Sequence, residues 1–170
     1  MKVKKFLTIL IILLSFITFS YSQDQIVYLD LDKVVSNTKA GKSILIKLEK
    51  SKKNALLNFE KKEADLKKIE EEIKSQKNIL SENEFKKKLF EFRKEVNNFR
   101  QSRQNVINDF NQKKKIDFKK FFKKITPIIE NYVSEKNIDI LLDRKNIFVA
   151  SKKKNITQEI IEIIDLKIKW

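Results

Sequence analysis

Residues 39–122 read KAGKSILIKLEKSKKNALLNFEKKEADLKKIEEEIKSQKNILSENEFKKKLFEFRKEVNNFRQSRQNVINDFNQKKKIDFKKFF. These 84 residues hold no proline, their single glycine is Gly41 at the start, and apolar side chains recur every three or four positions. Such spacing gathers the apolar residues into one stripe of a helix and leaves the remaining surface to charge. In the first half the stripe is Leu45, Leu48, Lys52, Ala55, Phe59, Lys62, Leu66, Ile69, Ile73 and Gln76, of which seven of ten are apolar. In the second it is Phe85, Leu89, Phe92, Val96, Phe99, Arg103, Val106 and Phe110, where only Arg103 is polar. Stripes with a repeat near 3.5 residues let two helices lie along each other at a shallow angle, so both halves are expected to be coiled-coil helices.

Between them stands Ser81-Glu82-Asn83-Glu84, a capping box in which each end residue can satisfy the other's amide. Leu80 and Phe85 flank it as a hydrophobic staple, so the return helix is expected to start near Glu82. If the first helix ends near Gln76, the connection is too short for anything but antiparallel neighbours. At about 1.5 Å per residue each limb is roughly 55 Å long, which projects the hairpin from the rest of the molecule as an arm. The arm is assigned to residues 39–116.

Composition narrows the chemistry. The 170-residue chain has no cysteine, no histidine, one glycine and one proline, and a formal charge of +15. Soft metal ligands, thiol chemistry and the commonest general base are therefore missing, and no cofactor or metal is expected. One glycine cannot build a phosphate-cradling loop either. The composition argues against an enzyme and against ATP use.

Residues 1–22 read as a secretory signal. Lys2, Lys4 and Lys5 precede a 14-residue apolar run from Phe6 to Phe19, and Ser20-Tyr21-Ser22 offers small residues for cleavage after Ser22. The run falls short of the roughly 20 residues that span a bilayer, so cleavage is expected over anchoring. Loss of the three lysines leaves the mature chain at +12.

Residues 23–38 and 117–170 are assigned to one small α+β body interrupted by the arm. Ile26-Val27-Tyr28-Leu29-Asp30-Leu31 reads as a strand buried on both faces, followed by a short helix, Lys33 to Val35, capped by Asp32. Thr38 is the expected cap of the first long helix. The stripe slips after Phe110 to Phe118, Phe121, Phe122, Ile125, Ile128, Ile129, Tyr132 and Val133, where the return helix leaves the arm, and Pro127 is expected to kink or restart it. Ile138 to Leu142 and Ile147 to Ala150 read as two strands joined by a hairpin loop, Asp143-Arg144-Lys145-Asn146, before a last helix, Thr157 to Lys169, capped by Thr157. A body this small has a marginal core, so the sequence predicts an obligate oligomer joined through Ile26, Val27, Tyr28, Leu29, Leu31, Ile140 and Leu142.

These elements together resemble the Skp (OmpH-like) periplasmic chaperone family. The likeness lies in a signal peptide, Ile26-Val27-Tyr28-Leu29-Asp30 with Asp32-Lys33-Val34, the run Ser36 to Lys42, a Lys/Glu-rich hairpin turning at Leu80-Ser81-Glu82, Thr126-Pro127-Ile128-Ile129, Ile138-Asp139-Ile140-Leu141-Leu142-Asp143 and Ile156-Thr157. The resemblance implies a periplasmic homotrimer whose bodies share a small β-barrel and whose arms enclose unfolded outer-membrane β-barrel proteins. The trimer number comes from the resemblance alone.

Holding a non-native client asks for weak, distributed contacts. Leu57, Ile79, Phe90 and Ile107 lie off the stripes and are the apolar candidates, set against the ordinary occurrence of scattered apolar residues on surfaces. Lys86-Lys87-Lys88 near the tip and Lys113-Lys114-Lys115 are basic candidates for acidic clients, anionic lipid or lipopolysaccharide. A solvated face competes with that reading, because 34 of the 38 basic residues are lysine. Pairing the stripes about the turn sets Phe59 opposite Phe99 but Ala55 opposite Arg103 and Lys52 opposite Val106, so a hinge is expected at Lys52, Ala55, Arg103 and Val106. Two other classes remain: an envelope scaffold using the arm as a rod, and a nucleic-acid binder. The export signal and the lack of a recognisable binding motif argue against the latter, and no nucleic acid is expected.

Overall fold

The computed structural model describes residues 24–169. The signal sequence and its cleavage site lie outside the described residues. Strand β1 (Ile26–Leu29) leads into helix α1 (Leu31–Asn37), then α2 (Lys39–Ser75) and α3 (Glu82–Glu135). Strand β2 (Ile140–Asp143), two 3₁₀ turns (Arg144–Asn146 and Lys152–Lys154) and α4 (Thr157–Lys167) complete the chain. The long helices form the hairpin expected from the stripes, and the remaining elements pack around its base.

Thr38 joins the body to the arm. Its hydroxyl donates to the Val34 carbonyl at 2.8 Å, closing α1, and accepts from the Gly41 amide at 3.1 Å, opening α2. With one side chain serving both helices, α2 passes so close to α1 that a Cβ on Gly41 would stand 1.9 Å from the Val35 carbonyl oxygen. That approach is open only to glycine. A distant carboxylate completes the start, as the Lys39 amide donates to Asp165 of α4 at 2.8 Å.

β1 and β2 are parallel, with Ile26 opposite Ile140 and Leu29 opposite Asp143. On the other edge of β1, the Ile156 amide donates to the Tyr28 carbonyl at 3.0 Å. The core lies on one face of this sheet: Val27 and Leu29 meet Val34, Ala40, Ile44, Leu48, Phe121, Ile125, Ile160 and Ile164. Phe121, Ile125, Ile160 and Ile164 have almost no exposed surface. Tyr132 ties α3 to α4 through its hydroxyl, which donates to Glu159 at 3.1 Å, and burial followed by that carboxylate pushes the phenol above its ordinary value.

Several local expectations need correction. The first strand stops at Leu29, and Leu31 opens α1. The cap of α1 is Asp30 and not Asp32, because Asp30 has the extended backbone of a cap and its carboxylate accepts from the Lys33 amide at 2.9 Å. Pro127 neither ends nor restarts α3, which runs unbroken through it. A proline removes one ladder bond, and here Phe121, Ile125, Ile128 and Ile129 on both sides are held against the core, which outweighs the loss. Thr157 is the first residue of α4 and not its cap: its hydroxyl donates to the Asn155 carboxamide at 2.5 Å and accepts from the Asp30 amide at 3.0 Å. That helix closes at Lys167.

The hairpin expected across Asp143 to Asn146 is absent. Asp143 caps a 3₁₀ turn, and residues 147–150 run on without strand pairing. Among the described residues, no backbone hydrogen bond joins Phe148, Val149 or Ala150 to anything. A strand exists only by pairing, and among the described residues neither β1 nor β2 pairs with this segment.

Candidate functional site

The arm is closed at its tip by the capping box. The Glu84 amide donates to the Ser81 hydroxyl at 3.4 Å, while the Ser81 amide and hydroxyl donate to the Glu84 carboxylate at 3.1 and 2.6 Å. The Ser81 hydroxyl, then its amide, hold Glu84 below the ordinary carboxylate range. Ile79 in the turn is 81% exposed and Phe90, further along α3, is 69% exposed. Lys86 pairs with Glu82 and Lys88 donates to Gln76, whereas Lys87 has no partner among the described residues. Leu57 and Ile107 are exposed on the outer faces. Leu56, Ile46 and Ile116 are exposed as well and were missed by the stripe reading; Ile46, two residues from the buried Leu48, falls on the opposite side of α2 by helical period alone.

Along the middle of the arm the seam is continuous. Leu66 and Ile73 are buried, and the Phe59 and Phe99 rings meet edge to face at 6.2 Å, the pairing expected from the turn. Lys62, a polar seam residue, reaches Glu95 at 3.3 Å. Arg103 turns towards the tip, stacking over Phe59 at 5.5 Å and pairing with Glu63 at 2.9 Å. Lys52 and Val106 are exposed and Ala55 half-buried. Below them a cleft of about 640 Å³ opens where α1, α2 and α3 meet, lined by Leu45, Leu48, Lys52, Phe110, Phe118 and Phe122.

The residues expected to join copies divide in two. Val27, Tyr28 and Leu29 are buried within the chain, and Leu31 is half-buried against its core. Ile26, Ile140 and Leu142 are exposed on the sheet face away from that core. There a second cleft of about 360 Å³ is bounded by Ile26, Tyr28, Leu142, Ile147 and Val149. Phe148 beside it is 99% exposed and Val149 78%. Phe148 escaped sequence reading because an apolar run signals burial without saying against what.

Among the described residues, no group of three His, Cys, Asp or Glu side chains is placed to hold a metal ion. None of their helices is long and apolar enough to cross a membrane.

A family model described as outer membrane protein (OmpH-like) matches residues 25–164. The chain belongs to the OmpH-like family. Its match spans the whole arm and most of the body. No curated protein matches the chain. Among solved structures, one from Caulobacter crescentus, described as an outer membrane chaperone (OmpH-like), superposes on this OmpH-like chain with a TM-score of 0.76. The likeness covers 89% of this chain and 90% of that one at 13% identity, which shows a shared fold.

Proposed function

We propose that this OmpH-like chain is a periplasmic, ATP-independent holdase that keeps unfolded outer-membrane β-barrel proteins from aggregating. The observation that carries this reading is the arm: exposed apolar residues, among them Leu57, Ile79, Phe90 and Ile107, are spread along it among lysines instead of being gathered into one enclosed pocket. Weak contacts distributed in this way suit a polypeptide with no fixed shape. Family membership and the fold of the Caulobacter chaperone support the same role. Lys86, Lys87 and Lys88 add diffuse attraction for acidic clients and for anionic lipid or lipopolysaccharide at the membrane surface. Diluting a urea-unfolded β-barrel membrane protein into nucleotide-free buffer tests the reading. Light scattering should stay near baseline with the mature protein present and rise without it.

The holdase is a homotrimer built through the outer sheet face. Ile26, Ile140 and Leu142 leave that face apolar and open, and residues 148–150 have no backbone hydrogen bond among the described residues. A second copy supplies both the missing cover and the missing edge; the number three follows from the family resemblance.

The arm bends at its base, near Lys52, Ala55, Arg103 and Val106, and so adapts the space between arms to clients of different size. The exposure of Lys52 and Val106 beside a half-buried Ala55 leaves few buried contacts there and supports this, and the exposed Arg103–Glu63 pair adds little resistance. Amide exchange should be faster at this base than around Leu66 and Phe92. Replacing Lys52 and Arg103 together with leucine should slow it and weaken capture of large clients while assembly persists. Slower exchange at the base of the unmodified protein would place the hinge elsewhere.

A further inference from the structure

The cleft at the arm base stands apart from the scattered contacts of the arm. Three helices build it: α1 gives Asp32, Val35 and Ser36, α2 gives Leu45, Leu48, Glu49 and Lys52, and α3 gives Phe110, Lys114, Phe118 and Phe122. Its volume of about 640 Å³ falls within the roughly 300–1,000 Å³ of ordinary ligand sites, and its walls are aliphatic and aromatic with a few charges at the lips. The three phenylalanines recur at 110, 118 and 122, so one face of α3 presents them together. Each is only half-buried, and their open sides are apolar surface without cover.

The charges narrow the occupant. Lys52, Lys114 and Glu49 are exposed, and among the described residues none of the three is in an ion pair. The helices around them are basic overall, with 24 lysines and arginines against 13 carboxylates between residues 39 and 122. An acidic side chain is therefore attracted to the lysine lip. Glu49 and the Ser36 hydroxyl can accept hydrogen bonds from backbone amides, which a fatty acid does not possess. An extended peptide carries both kinds of group, and an aromatic ring suits the phenylalanine wall by edge-to-face contact.

We propose that this cleft is a client subsite that takes one aromatic side chain of an extended polypeptide, with an acidic neighbour of that residue held by Lys52 and Lys114. The inference rests on the holdase reading and adds to it a preferred client segment. Leu45 lies at the exposed edge of the cleft, so Leu45→Trp fills it from the rim and leaves the core intact. Leu166→Trp, on an exposed position of α4 away from the cleft, serves as control.

The test is fluorescence anisotropy of a labelled ten-residue peptide carrying one phenylalanine flanked by aspartates, titrated with mature oligomer. Binding should weaken at least tenfold with Leu45→Trp, with Lys52→Glu plus Lys114→Glu, and with serine in place of the peptide's phenylalanine. Leu166→Trp should bind as the unmodified protein does. The charge-reversed pair keeps the test decisive if the tryptophan variant fails to fold. Equal affinity across these variants overturns the subsite, and so does laurate occupying the cleft while the peptide does not. Scattering by a urea-diluted β-barrel protein, measured on the same preparations, separates the two ideas. If the unmodified protein suppresses scattering but the peptide result is negative, the subsite alone fails; if it does not suppress scattering, the holdase reading fails.

Discussion

Phe121→Ala should destabilise the folded chain by about 3–5 kcal/mol, the usual range for removing a fully buried phenylalanine. Phe121 has no exposed surface and stands where α3 crosses the core, beside Ile125 and against residues of β1, α2 and α4. Its ring meets Phe122 edge to face at 5.4 Å, and the neighbours that surround it belong to elements that cannot close the gap without unpacking one another. Small domains have only about 5–15 kcal/mol in total. Thermal denaturation followed by circular dichroism at 222 nm should therefore show a body that melts many degrees lower. A melting temperature within two degrees of the unmodified protein would mean that the core lies elsewhere.

Phe148→Asp combined with Val149→Asp should separate the copies without unfolding them. Within one chain these side chains touch almost nothing, so the substitution costs the isolated body little. At a sheet-to-sheet contact it would bury two carboxylates with no partner, a penalty of several kcal/mol for each. Sedimentation at micromolar concentration should show the mature protein as a trimer and the double variant as a monomer with its helical signal retained. A trimeric double variant would exclude residues 147–150 from the contact between copies.

The parts of the molecule legible in sequence are those whose cause is local. The hairpin follows from the seam residues and from Ser81 and Glu84, which lie three positions apart and cap the return helix as expected. Phe59 met Phe99 because a turn of known position fixes the register of two helices. Body elements fared less well where the deciding contact is remote. Asp30 and Asp32 are equivalent as sequence signals, and only the geometry of the turn after Leu29 chooses between them. Thr157 looked like a cap, yet its hydroxyl is occupied by Asp30, 127 positions earlier. Residues 147–150 have strand composition and no strand pairing among the described residues, because composition signals a strand without supplying the edge it must pair with. The cleft at the arm base was invisible for a related reason: Leu45 and Phe118 read as stripe residues, and only the meeting of three helices shows the space they border. The exposed apolar candidates of the arm came from helical period, which found Leu57, Ile79, Phe90 and Ile107 off the seam but passed over Ile46 and Leu56.

The mass and conformation of a client complex test the central claim most directly. A urea-unfolded β-barrel outer-membrane protein, diluted into nucleotide-free buffer with the mature chain, should remain in solution as a complex of three copies and one client, read by native mass spectrometry. Within it the client should lack the strand signal of a folded barrel. A client that aggregates at its unassisted rate, or one recovered only in folded form on a single copy, would contradict the account.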